Sequence, residues 1–219
     1  MSNNKLNNVE ENIYISLILT FIGGFLDSYT YILYDKIWAN TQTGNLILFS
    51  LFLVEGQFYN AFLRIFPIAS FCIAIFINQA LIYKFSKNKN WIKIVLAISI
   101  VSTSMLGFGI FKNNNIVVIC LISFVCALMI GTFKKSKGDI FAPIMCTGNL
   151  RSLVEFFAKW IIYKEKDAKK VVLKYVSIIV IFCTGVYLGA IIVIHLATYS
   201  MLVCTVLFLV SLIIVIYKQ

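Results

Sequence analysis

The sequence predicts an all-α integral membrane protein. It should have six transmembrane helices in two inverted three-helix repeats, each with a short half-helix after a Thr-Gly-Asn-Leu motif. Three observations carry that prediction. Charge-free apolar runs of bilayer length recur along the chain. Basic residues are shared unequally among the segments that connect them. Thr-Gly-Asn-Leu occurs twice, at 43–46 and at 147–150.

The runs come first. Apolar residues make up 61% of the 219 and charged residues 13%, whereas a soluble domain has about 45–50% and about 25%. A core of this size cannot hide the excess, because a small domain exposes too much surface. Residues 65–83, 94–111, 113–133, 175–194 and 196–217 contain no Asp, Glu, Lys or Arg, and 12–34 contains only Asp27. Each is close to the roughly 20 residues that cross a hydrocarbon core about 30 Å thick. The opening stretch, MSNNKLNNVEEN, holds one Lys against two Glu. It lacks the positive region and cleavage site of a signal peptide, so the first helix is expected to stay in the mature protein. The division is then a cytoplasmic tail, 1–11, and one membrane domain, 12–219, with repeats at about 12–112 and 113–219.

The charges orient these helices. With six spans, sixteen Lys and Arg fall on the side holding both termini, 84–93 and 134–174, and only Lys36, Arg64 and Lys112 fall on the other. Such a bias places the basic side, and both termini, in the cytoplasm. The net charge of +10 is thereby read as a topology signal that touches anionic headgroups, and no nucleic-acid partner is expected. An eight-helix alternative, with the segment after each Thr-Gly-Asn-Leu also spanning, would move Lys84–Lys93 outside. The six cysteines are scattered without a C-x-x-C pair, and there is one His, His195. Neither a metal site nor a disulfide framework fits that pattern, and no cofactor is implied.

The two motifs lie 104 residues apart. A long apolar helix precedes each, and a short apolar segment and two long runs follow. Three spans per half is odd, so the second half enters the membrane upside down. Inverted repeats of this kind build several transporter folds, with sites near broken helices at the repeat interface. Within each motif, Thr suits an N-cap, Gly allows close approach, and Asn offers both donors and an acceptor. Residues 45–54 would form a helix about 15 Å long, half a bilayer, whose N-terminus favours a polar or anionic group. A capped helix packed on its repeat mate would need no ligand. After the second motif, Leu150, Leu153, Val154, Phe157 and Ile161 share one face while Arg151, Glu155 and Lys159 lie elsewhere, as in a helix lying in the interface.

Candidate solute-binding residues follow: Asp27, Gln42, Thr43, Gly44, Asn45, Asn78, Thr147, Gly148 and Asn149. Asp27 is the one acid inside a span, a functional candidate by default, although pairing with Arg64 would satisfy it structurally. Asn78 and Gln79 are polar within an apolar run and suit either a cross-helix hydrogen bond or a solute. Gly23-Gly24 and Gly185-x-x-x-Gly189 read as close helix–helix contacts. No catalytic signature is present: G-x-S-x-G, H-E-x-x-H and the P-loop are all missing, and an enzyme is not expected.

Residues 23–49 read GGFLDSYTYILYDKIWANTQTGNLILF. They resemble the signature of the YoaK-like bacterial membrane proteins, domain of unknown function 1275, at Gly23, Gly24, Asp27, Ala39, Asn40, Gln42, Thr43, Gly44 and Asn45. Tyr31 lies near a further Tyr of that signature, and the resemblance extends over 12–217. The second half departs from it: MIGTFKKSKGD stands where the family has a segment containing Gln-Asn. The resemblance implies a multi-pass protein of the bacterial inner membrane and no particular substrate. The expected function is transport of a small polar or anionic solute by alternating access, with Asp27 as a possible proton site and the bilayer as the other partner. The alternatives are a non-catalytic scaffold or lipid-interacting protein, and a channel. The oligomeric state is not legible.

Overall fold

The computed structural model describes residues 12–85, 90–133, 135–136, 139–140 and 146–218. The proposed tail, 1–11, lies outside the described residues, as do Lys87, Lys89, Lys134 and Lys137 of the basic segments. The chain is helical: α1 (Ile13–Leu33), α2 (Gln42–Val54), α3 (Phe58–Phe85), α4 (Asn90–Gly107), α5 (Asn115–Thr132), α6 (Cys146–Ile162), α7 (Ala168–Leu196) and α8 (Met201–Lys218). A 3-10 turn, Ala197–Ser200, joins the last two, with Ala197 at φ +44°. One antiparallel pair of two-residue strands, Lys135–Ser136 and Asp139–Ile140, precedes α6.

All six apolar runs are helices. α3 and α7 begin seven residues before their runs, at Phe58 and Ala168, passing through Arg64 and through Lys169, Lys170 and Lys174. Lys and Arg are good helix formers, so a charge that ends an apolar run need not end a helix. Five stretches are long and apolar enough to cross a membrane: α1, α3, α4, α5 and the 51-residue run Ala168–Lys218. That last run holds α7 and α8 on either side of the 3-10 turn. α2 has 13 residues, about 20 Å, short of a full crossing; α6 has 17, about 25 Å, longer than the expected half-helix. α2 stops where Gly56 adopts φ +71°, with Gln57 N–H donating to the Phe52 carbonyl and Gly56 N–H to that of Leu53. This Schellman arrangement needs a residue tolerant of the left-handed region.

α1 and α5 are the most enclosed of these helices. Of the most apolar window of each, 72% is buried for α1 and 61% for α5, against 17% for α3. The core is built on Ile15, Leu19, Ile22, Phe25 and Leu26 of α1 with Ile122, Val125, Cys126 and Met129 of α5. Around them α1 packs on α7, α3 on α5, α4 on α8, α2 on α3 and α6 on α7. The outward faces of α3 and α7 are apolar and exposed, among them Phe62, Ile73, Phe76, Val180, Tyr187 and Ile194. In water that surface would be costly; in lipid it is ordinary.

Glycines set the closest approaches. A Cβ on Gly24 would collide with the Phe182 carbonyl, and one on Gly185 with the Phe21 carbonyl, while Gly189 lies against Ser28 and Phe25. The Gly24 and Gly185-x-x-x-Gly189 surfaces are thus one interface, between α1 and α7. α4 and α8 meet through Thr205 Oγ1 and Thr103 Oγ1, 2.9 Å apart.

Candidate functional site

The end of α1 places Asp27, Ser28, Tyr31 and Ile32 along one strip, since residues three and four apart share a helix face. The chain then turns back through Asp35 and Lys36, both at positive φ, and returns along α1 to start α2. Ala39 N–H donates to Thr30 Oγ1 at 3.3 Å. The Asn40 backbone N–H reaches Asp27 Oδ1 at 3.3 Å, and Asn40 Nδ2 reaches Asp27 Oδ2 at 3.4 Å. Asp27 is therefore held by the segment that leads into the first motif, although its side chain is only 8% exposed. Arg64 is not its partner. That guanidinium donates to the Asp35 carbonyl at 3.0 Å and lies over the Phe52 ring, because α3 carries it beside the end of α1 and the last turn of α2. The expected Asp27–Arg64 pair is replaced by a carboxyl bonded to Asn40.

The first turn of α2 is fixed to α5. Gln42 Nε2 donates to the Ala39 carbonyl at 2.8 Å and to Ser123 Oγ at 2.9 Å, while Ser123 Oγ–H itself donates to the Ala39 carbonyl. Asn45 Nδ2 donates to the Trp38 carbonyl at 2.8 Å and to Gln42 Oε1 at 3.0 Å. Asn45 is the one buried residue of α2 and Asn149 the one buried residue of α6, so the two motifs use their Asn in the same way, turned into the protein. Trp38 stacks on Tyr31, ring centroids 5.5 Å apart. A Cβ on Gly44 would lie 2.9 Å from the Trp38 ring, so glycine there leaves room for the indole. Neither motif Thr is a cap. α2 begins at Gln42 after Thr41, whose carbonyl accepts from Gly44 and Asn45, and α6 begins at Cys146. Thr43 and Thr147 are exposed residues of a first turn, which leaves their hydroxyls facing outward from the helix.

These residues surround a cavity of about 1,090 Å³. Its walls come from the Asp27–Ile32 strip, from Trp38 to Gly44, from Ile47 and Leu48, and from Phe182, Val186 and Ala190 of α7, with Phe71 and Ile130 contributed by α3 and α5. Cys146 and Thr147, the first residues of α6, complete it. Both Thr-Gly-Asn-Leu helices thus begin at one cavity. Three spans per half would start the motifs on opposite sides of the membrane; the structure brings the first turns of both to one cavity.

Of the sequence-predicted site residues, Asp27, Gln42, Thr43, Gly44 and Thr147 line the cavity. Asn45 stands behind it, bracing Trp38 and Gln42. Gly148 is exposed and Asn149 buried beside it in the first turn of α6. Asn78 is elsewhere: fully buried between α3 and α5, it accepts from Thr132 Oγ1 at 3.0 Å and rests against Gly131. Its role is the cross-helix bond. Tyr31, Trp38 and Ser123 had no mark as site residues. Tyr31 sits one turn beyond Asp27, a spacing that would have singled it out; Trp38 and Ser123 join the site only through the return of the chain after α1.

Residues 15–215 match the model of the family described as a protein of unknown function (DUF1275). The chain belongs to that family. The match spans all eight helices and both motifs, so the cavity lies wholly within the DUF1275 region. No curated protein and no solved structure matches the chain.

Proposed function

We propose that this DUF1275 protein carries a small polar solute across a bacterial cytoplasmic membrane by alternating access. In this reading α1, α3, α4, α5, α7 and α8 span, both termini are cytoplasmic, and the halves are inverted. The observation that carries it is the convergence of the first turns of α2 and α6 on one cavity that also contains the buried Asp27. Short helices that begin at a shared polar site between repeats are the arrangement of several secondary transporters.

The packing supports the repeat. Exchanging α1 with α5, α2 with α6, α3 with α7 and α4 with α8 turns α1–α7 packing into α5–α3, α2–α3 into α6–α7, and α4–α5 into α8–α1, all of which occur. The α4–α8 pair maps onto itself, and there Thr103 meets Thr205, 102 residues apart in a chain whose motifs are 104 apart. Lengths agree for two of the four pairs, 28 and 29 residues for α3 and α7 and 18 and 18 for α4 and α8. In an inverted pair α2 and α6 leave the cavity toward opposite faces, so their far ends lie on opposite sides while the motifs border the cavity inside.

A lipid-interacting role has its own support in α6. Leu150, Val154, Phe157 and Ile161 are exposed on one side of it, and Arg151 and Lys159 are available to headgroups. The scaffold reading takes that face as the function; the transport reading takes it as anchorage. Neither assigns a catalytic residue.

Thiol labelling separates them. Thr43→Cys and Thr147→Cys, each in an otherwise cysteine-free chain in oriented vesicles, are treated with a membrane-impermeant thiol reagent from either side. Alternating access predicts that both positions react from both sides, and that locking one gate by cross-linking removes reaction from one side only. Reaction of neither position from either side would refute a solute pathway and leave the scaffold.

A further inference from the structure

Resting on the reading of the cavity as a solute site, we infer that the solute carries a protonated amine, as an organic cation or as a zwitterion. The wall chemistry decides against a plain anion. Asp27 is the one acid among the described lining residues, and none of them is Lys, Arg or His. Arg64, the cation expected beside it, is bonded to the Asp35 carbonyl instead. A carboxylate can accept about four hydrogen bonds, and Asp27 takes two from Asn40 at 3.3 and 3.4 Å, longer than the usual range of about 2.7–3.2 Å. Acceptor capacity remains on a buried acid that faces a cavity.

Beside it are two aromatic rings. Tyr31 follows Asp27 by one helical turn on the same face, Trp38 stacks on Tyr31, and both line the cavity. A carboxylate beside aromatic rings that line the same cavity is the chemistry that selects an ammonium group, through charge pairing and cation–π attraction. The helix starts add a different chemistry. Thr43 and Gly44 of α2 and Thr147 of α6 bring the first turns of two helices to the lining, which favours an oxygen or a carboxylate elsewhere on the solute. A zwitterion satisfies both chemistries and a monocation satisfies one; a monoanion meets a lining whose one charged side chain, among the described residues, is an acid. At about 1,090 Å³ the cavity has room for an amino-acid-sized molecule with water, since pockets for small ligands run to about 300–1,000 Å³.

The test uses matched probes on the purified full chain in detergent at neutral pH. Three sets share a carbon skeleton: leucine, 3-methylbutylamine and 4-methylpentanoate; phenylalanine, 2-phenylethylamine and 3-phenylpropanoate; alanine, ethylamine and propanoate. A ligand that binds only the folded protein raises its melting temperature. The expected result is a rise of a few degrees with the amine or the amino acid of at least one set and none with its acid, lost in Asp27→Asn, partly kept in Asp27→Glu and weakened in Trp38→Leu. A rise with the amino acid alone identifies the zwitterion. Quenching of tryptophan fluorescence by the amine in the unmutated chain, absent in Trp38→Phe, gives a second reading should Asp27→Asn fail to fold. Acids that stabilise as well as amines, an amine response untouched in Asp27→Asn, or no response to any probe would each overturn the inference. The thiol-labelling result stands apart from all of these, so an overturned amine leaves the transport reading to be judged on its own test.

Discussion

Gly44 shows how a single residue can shape a site without touching a solute through any functional group. Its missing side chain is occupied by the Trp38 ring, 2.9 Å from where a Cβ would stand. Gly44→Val should therefore displace the indole from Tyr31 and reduce any ligand-induced rise in melting temperature, while Gly148→Val, with nothing within 4 Å of its would-be Cβ, should leave that rise largely intact. Gly185 is a different case, because its neighbour is backbone. Phe21 cannot rotate away as a side-chain tip can, so Gly185→Ala should force α1 and α7 apart. The expected loss is about 1–3 kcal/mol, the usual range for overpacking, visible as a lower melting temperature in detergent. Thr103 and Thr205 share a hydrogen bond of 2.9 Å between buried hydroxyls. A double-mutant cycle with Val at each should return a coupling of about 0.6 kcal/mol, the average for such bonds inside membrane proteins.

Among the elements, the two short helices do the most to make the site, and they are anchored differently. α2 is closed at its end by Gly56 in the left-handed region and fixed at its start by Gln42 and Asn45. Gly56→Ala should cost about 1 kcal/mol, since a Cβ is strained there, and equilibrium unfolding should detect it as earlier fraying of α2. α6 instead rests on α7 through Phe156 stacked on Tyr175, centroids 6.1 Å apart, and carries an exposed Arg151–Glu155 pair at 2.7 Å. Ion pairs in such exposure contribute little, about 0–1 kcal/mol. Glu155→Gln should leave the melting temperature nearly unchanged, and Phe156→Ala should lower it clearly.

For the molecule as a whole, the buried pair α1 and α5 sits at the centre, with α3 and α7 presenting apolar faces outward. The cavity lies where α1, α2, α6 and α7 come together, bordered by Phe71 and Ile130. On the proposed transport reading, the cycle would move α1 and α2 against α6 and α7 about the α1–α7 and α3–α5 contacts. A disulfide engineered between α2 and α6 across the cavity should stop solute passage while leaving the helices folded. Uptake that continued at full rate with the cross-link complete would count against any movement there.

Much of this protein was legible from its sequence, for a physical reason. Lipid imposes a length and a composition on each helix, and six apolar runs became helices because no backbone group inside a bilayer can go unpaired. The repeat of Thr-Gly-Asn-Leu was visible as well, and its Asn is what both helices use alike, as the one buried residue of each. Sequence alone also marked Asp27, because a lone acid among apolar neighbours is conspicuous. It could not place that acid's partner. Arg64 was the natural guess on charge, but the turn at Asp35 and Lys36 brings Asn40 to Asp27 and leaves Arg64 at the Asp35 carbonyl. Asn78 looked like Asp27 in kind, a polar residue in an apolar run, yet it faces Gly131 and Thr132 across a helix interface. Which side of a helix meets a cavity and which meets a neighbour depends on rotation and packing between segments far apart in the chain. The meeting of residues 43 and 147 at one cavity is of that kind: sequence marked a helix after each motif, and only the tertiary structure decided that the two begin at the same place.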